Sequence, residues 1–166
     1  MKRSTRFLFD EAISEFHQHG GRIIVEIGAI RARPSRRNKD GLSTLRWPDE
    51  ATVWSVDTDP EAIRLTHELT AHRANVFCVL ADGLAFLKAF PVAIDLLYLD
   101  GPHPDREDGR QWHYDAYKAA TMQDHAVLLI DDTDLPRLGK AEFVVPAALE
   151  DGFHVISSDR QTLLAR

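Results

Sequence analysis

Five runs of apolar, largely β-branched residues recur along the chain: Arg22 to Gly28, Ala51 to Val56, Asn75 to Leu80, Ile94 to Leu99 and Ala126 to Ile130. Their apolar positions are nearly continuous rather than alternating, which is the pattern of strands buried on both faces of a parallel sheet. Segments with helical spacing precede and separate them. From Ser4 to His19, Phe7, Leu8, Ala12, Ile13 and Phe16 fall near one face, and Gly20-Gly21 supplies a stop. Pro60 to His72 opens with a proline suited to a first helical turn, and Gly83 to Phe90, Gln111 to Met122 and Phe143 to Leu149 complete the set. Strands alternating with helices predict an α/β fold, Rossmann-like and doubly wound, with helices on both faces of a mostly parallel sheet. The ending breaks that rhythm. Phe153 to Ser157 and Gln161 to Ala165, separated by Ser158-Asp159-Arg160, read as a C-terminal hairpin that makes the last strand antiparallel.

Length and composition narrow the class further. A chain of 166 residues suits one domain over 1–166, and 44% hydrophobic with 28% charged residues excludes disorder and fibrous repeats. The single cysteine, Cys78, lies in the run Val76 to Leu80 and reads as a buried strand residue, with no intramolecular disulfide available. Met1 to Arg6 lacks the apolar stretch of a secretory signal, and no apolar run approaches the roughly 20 residues of a membrane-spanning helix. The expectation is therefore a cytoplasmic protein without a membrane partner. A net charge of -6 and a pI near 5.7 oppose a sequence-independent grip on phosphates, so no nucleic acid is expected and small molecules are favoured. Arg31 to Lys39 holds five cations in nine residues around a proline, and reads as a solvated loop or as a site for an anionic group.

Four strand-like runs are followed by a carboxylate: Asp57, Asp82, Asp100 and Asp131. In an open parallel sheet that edge is where ligands bind, at the point where strand order reverses. Asp57, after the second run and two residues before Asp59, can accept both hydroxyls of a ribose. A nicotinamide dinucleotide would use the same carboxylate, but after Gly28 the chain reads Ala29-Ile30-Arg31-Ala32 and forms no G-x-G-x-x-G turn for a pyrophosphate. An aspartate after a strand also caps helices and opens turns, a reading that applies to each of these and to Asp131-Asp132 with Asp134 and Pro136.

In order and spacing, Val25-Glu26-Ile27-Gly28, Ser55-Val56-Asp57, Ala81-Asp82-Gly83 and Asp95 to Asp100 resemble the first four motifs of class I S-adenosylmethionine-dependent methyltransferases. The closing hairpin is similar to that of their seven-stranded sheet. Within the class, Leu99-Asp100-Gly101-Pro102-His103 and Leu129-Ile130-Asp131-Asp132 resemble the metal-site segments of catechol and caffeoyl-coenzyme A O-methyltransferases and of cephalosporin-hydroxylase-like proteins. The resemblance implies that Glu26 and Gly28 lie beside the methionine part of S-adenosylmethionine, that Asp57 holds the ribose, and that Asp82 and Gly83 lie by the adenine. The family's second glycine, shortly after the one at Gly28, is missing here, and Gly41 and Ser43 are the candidates to replace its turn. Asp100, Asp131 and Asp132 are implied to converge on a divalent cation, magnesium by the hardness of their oxygens. His103, where the catechol-type enzymes carry a lysine, is implied with Asp100 as a catalytic group, against the reading of a solvent-exposed loop residue between two prolines.

Three functions follow, in order of expectation: O-methylation of a small-molecule acceptor, a non-catalytic cofactor-binding or interaction module with the same fold, and a nucleotide-dependent oxidoreductase. His113, Tyr114 and Tyr117 read as packing or as lining of an acceptor pocket. Trp47, Trp54 and Trp112 read as packing between helix and sheet. A homodimer is the natural assembly for so small an enzyme.

Overall fold

The computed structural model describes residues 7–35 and 42–166. Its sheet contains β1 (Ile23–Ile27), β2 (Thr52–Asp57), β3 (Val76–Leu80), β4 (Ile94–Leu99), β5 (Met122–Ile130), β6 (His154–Ser158) and β7 (Thr162–Ala165), in the order β3-β2-β1-β4-β5-β7-β6. Strands β1 to β5 are parallel, and β7 runs antiparallel to both of its neighbours, β5 and β6. The helices are α1 (Phe9–Gln18), α2 (Pro60–Thr70), α3 (Gly83–Ala89), α4 (Gly109–Ala119) and α5 (Val144–Glu150). This is the doubly wound sheet with a closing hairpin that the sequence predicts. Among the described residues no helix is long and apolar enough to cross a membrane.

The continuous apolar runs have a simple origin in this arrangement. Successive residues of the central strands point to opposite faces, and both faces are covered. Val25, Ile27, Leu97, Leu99, Leu128 and Ile130 pack on one side with Leu87 of α3, Ala116 of α4 and Val144 of α5. On the other side, Ile24, Leu96, Tyr98, Val127 and Leu129 meet Leu8, Phe9, Ala12 and Phe16 and the indole of Trp47. The amide of Leu8 donates to the buried Gln161 side chain at 2.7 Å, tying the entrance of α1 to the closing hairpin.

Three expectations need correction. β3 is an edge strand, so Cys78 is only partly buried and Phe77 and Leu80 are 43% and 57% exposed. α4 ends at Ala119, and Met122, expected to close it, opens β5. The first residues of that strand, Gln123, Asp124 and His125, are polar and exposed, so hydrophobicity alone does not mark them. The first helix begins at Phe9, with Phe7 and Leu8 outside it, and residues Ser4 to Arg6 of the expected helix lie outside the described residues.

Candidate functional site

β1 leads outward to β2 and β3, whereas β4 leads the other way to β5, so the strand order reverses between β1 and β4. At their carboxyl ends lies a cavity of about 370 Å³ lined by Gly28, Arg31, Asp57, Asp82, Gly83 and Trp112, among others. That volume lies within the range of small-molecule sites.

Gly28 closes β1 with φ +106°, and a Cβ there would lie 2.5 Å from the backbone oxygen of Asp100. Only glycine lets the ends of β1 and β4 come this close. The chain then passes Asp57 rather than making a glycine-rich turn. One oxygen of Asp57 accepts from the Ala29 amide at 2.9 Å and from the Arg31 guanidinium at 3.3 Å, and the other accepts from the Asp59 amide at 2.9 Å. The carboxylate is thereby fixed at the cavity wall, and the oxygen that accepts from Asp59 keeps a lone pair for a further donor. Asp82 caps α3, accepting from the Ala85 amide at 2.8 Å, and also lines the cavity.

Trp112 packs against the core, as the sequence predicts, and also lines the cavity. Its ring lies against Gly83 and Gly101, where a Cβ would come within 3.2 Å and 2.4 Å of ring atoms. The indole therefore rests on bare backbone beside Asp82 and offers an apolar surface to a flat ligand.

Glu26 and Ser43 do not line this cavity. Alternation along β1 turns Glu26 to the opposite face from Ile27, where it is fully buried and accepts from the hydroxyls of Ser43 and, at 2.6 Å, Thr44. Burial pushes its carboxyl from 4.5 up to about 7, against the opposing pull of Ser43, Thr44, Ser55 and Trp47. These bonds hold the 3-10 turn Ser43–Leu45 to β1. Gly41 lies outside the described residues.

At the ends of β4 and β5, Asp100, Asp131 and Asp132 do come together, each offering an oxygen within 4.8 Å of the others. A fourth residue sits among them. The ammonium of Lys140, 3% exposed, bonds Asp100 and lies 3.1 Å from Asp132, whose other oxygen is 3.9 Å from the Arg160 guanidinium. Burial opposes charge on Lys140, but Asp100 and Asp132 outweigh it and hold the ammonium above its ordinary range. Burial raises the Asp100 carboxyl, while Lys140 opposes the rise. Asp131 keeps one buried oxygen without a hydrogen-bond partner, and burial with the two neighbouring carboxylates raises it to about 7. A magnesium ion needs near-octahedral oxygen ligands, and the space between Asp100 and Asp132 is taken by a buried cation. These residues as arranged do not fit the metal that the family resemblance implies.

Lys140 reaches this position from a strained approach. Arg137, Leu138 and Gly139 have φ of 59°, 61° and 50°, and a Cβ on Gly139 would lie 1.9 Å from the backbone oxygen of Asp132. His103 joins neither group. Its ring is largely exposed and its Nδ1 accepts from the Asp105 amide at 3.2 Å, which is the loop reading of that residue. His113 is fully buried in α4, where Nδ1 donates to the Gly109 carbonyl at 2.7 Å and burial lowers it to about 4. That is the packing role.

No family model matches the sequence, and no curated protein matches it. Solved structures do match the fold. A protein provisionally described as a caffeoyl-CoA O-methyltransferase from Staphylococcus aureus is 12% identical with a TM-score of 0.68, over 99% of this chain and 84% of that one. A methyltransferase from Geobacter sulfurreducens is 13% identical with a TM-score of 0.66, over 98% and 79%. The N-methyltransferase NodS from Bradyrhizobium japonicum, in complex with S-adenosyl-L-homocysteine, is 17% identical with a TM-score of 0.59, over 95% and 83%. The fold is that of class I methyltransferases, including those of the caffeoyl-coenzyme A type, and the likeness spans nearly the whole chain.

Proposed function

We propose that this chain is an S-adenosylmethionine-dependent methyltransferase acting on an oxygen of a small-molecule acceptor. The observation that carries the reading is the fixed carboxylate of Asp57 at the wall of a cavity over the β1–β4 crossover. Asp57 would accept the ribose hydroxyls, Asp82 with Gly83 would lie by the adenine, and the Trp112 indole would cover its flat face. Gly28 would leave room for the methionine part, with the Arg31 guanidinium at hand for its carboxylate.

When bound, S-adenosylmethionine supplies a methyl group on a positive sulfur that leaves as a neutral thioether, so the protein must align the partners more than activate them. Asp100 follows β4 directly beside Gly28, and burial raises its carboxyl. It would take the proton that the acceptor oxygen loses as its bond to the methyl carbon forms.

Unfolding temperature, measured with S-adenosylmethionine, S-adenosylhomocysteine and NAD, tests the reading. A ligand at a hundred times its dissociation constant stabilises by about 2.7 kcal/mol, a readily measured shift. Stabilisation by NAD alone would favour an oxidoreductase. Binding of S-adenosylmethionine with no methyl transfer across a screen of phenols, catechols and hydroxylated acids would favour a cofactor-binding module.

A further inference from the structure

Two of the three carboxylates at the ends of β4 and β5, Asp100 and Asp132, already hold a cation, and it belongs to the chain. We propose that Lys140 is a built-in substitute for a divalent ion, so that this end of the site works without metal. The consequence for acceptors rests on the methyltransferase reading: with no ion to chelate, the acceptor needs no second hydroxyl beside the one that is methylated.

Two independent features support the substitution. The first is position. The Lys140 ammonium bridges Asp100, from the end of β4, and Asp132, from the end of β5, which is the place an ion joining those two strands would take. An added divalent ion would meet a positive charge already buried at 3% exposure, and Arg160 near Asp132 adds to the repulsion.

The second is backbone cost. A lysine that had merely drifted into an acidic pocket would need no special main-chain conformation. Here Arg137 and Leu138, neither of them glycine, adopt left-handed φ just before it, and the turn passes so close to Asp132 that Gly139 has no room for a side chain. Such conformations are costly and persist where the surroundings over-determine them. The Lys140 stem is set by that turn, with its ammonium directed at the carboxylates.

The test measures metal directly and does not require methyl transfer. Wild-type protein, freed of metal by exhaustive chelation, is titrated with Mn²⁺ by electron paramagnetic resonance and with Mg²⁺ by calorimetry, beside Lys140→Ala and Lys140→Gln. The wild type is expected to show no saturable ion into the millimolar range. A folded variant, with the carboxylates no longer neutralised, is expected to bind one ion at least about tenfold more tightly, a difference of about 1.4 kcal/mol. One Mn²⁺ or Mg²⁺ per wild-type chain, lost in Asp131→Asn, would overturn the proposal whether or not either lysine variant folds. So would a folded lysine variant that binds no ion, since the carboxylates would then form no latent metal site. Thermal shifts with S-adenosylmethionine on the same samples report the cofactor reading separately.

Discussion

Glu26→Gln gives the sharpest stability test. The native carboxyl is fully buried and raised from 4.5 to about 7. Between those values the folded protein keeps a proton that the unfolded chain has released, so stability falls as pH rises through this window and stays low above it. The interval corresponds to roughly 3 kcal/mol at about 1.36 kcal/mol per pH unit. Glutamine preserves the shape, the acceptor oxygen and one donor of the protonated carboxyl, but adds a second N–H that needs a partner among the Ser43, Thr44 and Ser55 hydroxyls. Accommodating it costs about 1 kcal/mol and is independent of pH. His113 works in the opposite sense. Lowered from 6.5 to about 4, it adds stability as pH rises through that range, so it masks the Glu26 slope in the wild-type curve. The informative quantity is therefore the difference between the two proteins, from urea unfolding between about pH 5 and about pH 8. Near pH 5 the variant should be equal or slightly less stable, and near pH 8 more stable by roughly 2 kcal/mol. A difference that does not change with pH would refute the assignment of a protonated, buried Glu26.

Asp57→Ala should weaken S-adenosylhomocysteine binding by about 1.5–3 kcal/mol, read by calorimetry, through loss of a charge-assisted acceptor. Trp112→Ala should weaken it by about 1–3 kcal/mol by removing the stacking surface, with the larger loss in ligands that keep the adenine. Gly139→Ala forces a Cβ to within 1.9 Å of the Asp132 oxygen at φ +50°, and should lower stability by at least about 2 kcal/mol in urea unfolding. Asp100→Asn should reduce kcat by about 100-fold or more once an acceptor is found, whereas His103→Ala, in an exposed loop, should leave it within about twofold.

Much of the fold is legible in the sequence because the central strands are covered on both faces, and continuous apolar runs such as Ile23 to Ile27 and Ile94 to Leu99 record that directly. β3 carries the same kind of run but lies at an edge, where composition does not distinguish one neighbour from two. The site divides along similar lines. Asp57, Asp82 and Gly28 are legible because each ends or follows a strand at the sheet edge where ligands bind. Glu26 belongs to the same motif, yet the two-residue period of β1 turns it away from Ile27 and from the cavity, a signal present in the sequence. Lys140 is not legible in this way. It lies 40 residues from Asp100, and only the fold around Gly139 brings its ammonium to the carboxylates. Trp112 was hidden by its type, since an indole on an amphipathic helix is most simply a packing residue until Gly83 and Gly101 are seen beneath it.

The place of β7 between β5 and β6 constrains the order in which the sheet can be completed. β5 is made some 30 residues before Thr162, yet its outer edge receives a partner only when the chain has been translated through Ala165 and has turned back. Until then Val127 to Ile130 present unsatisfied backbone groups on a strongly apolar segment, the kind of edge that pairs readily with other chains. β6 cannot protect it, because its own pairing runs through β7. Maturation of the nascent chain therefore waits on a four-residue strand, and a nascent chain stalled before Thr162 would be a natural client for chaperones.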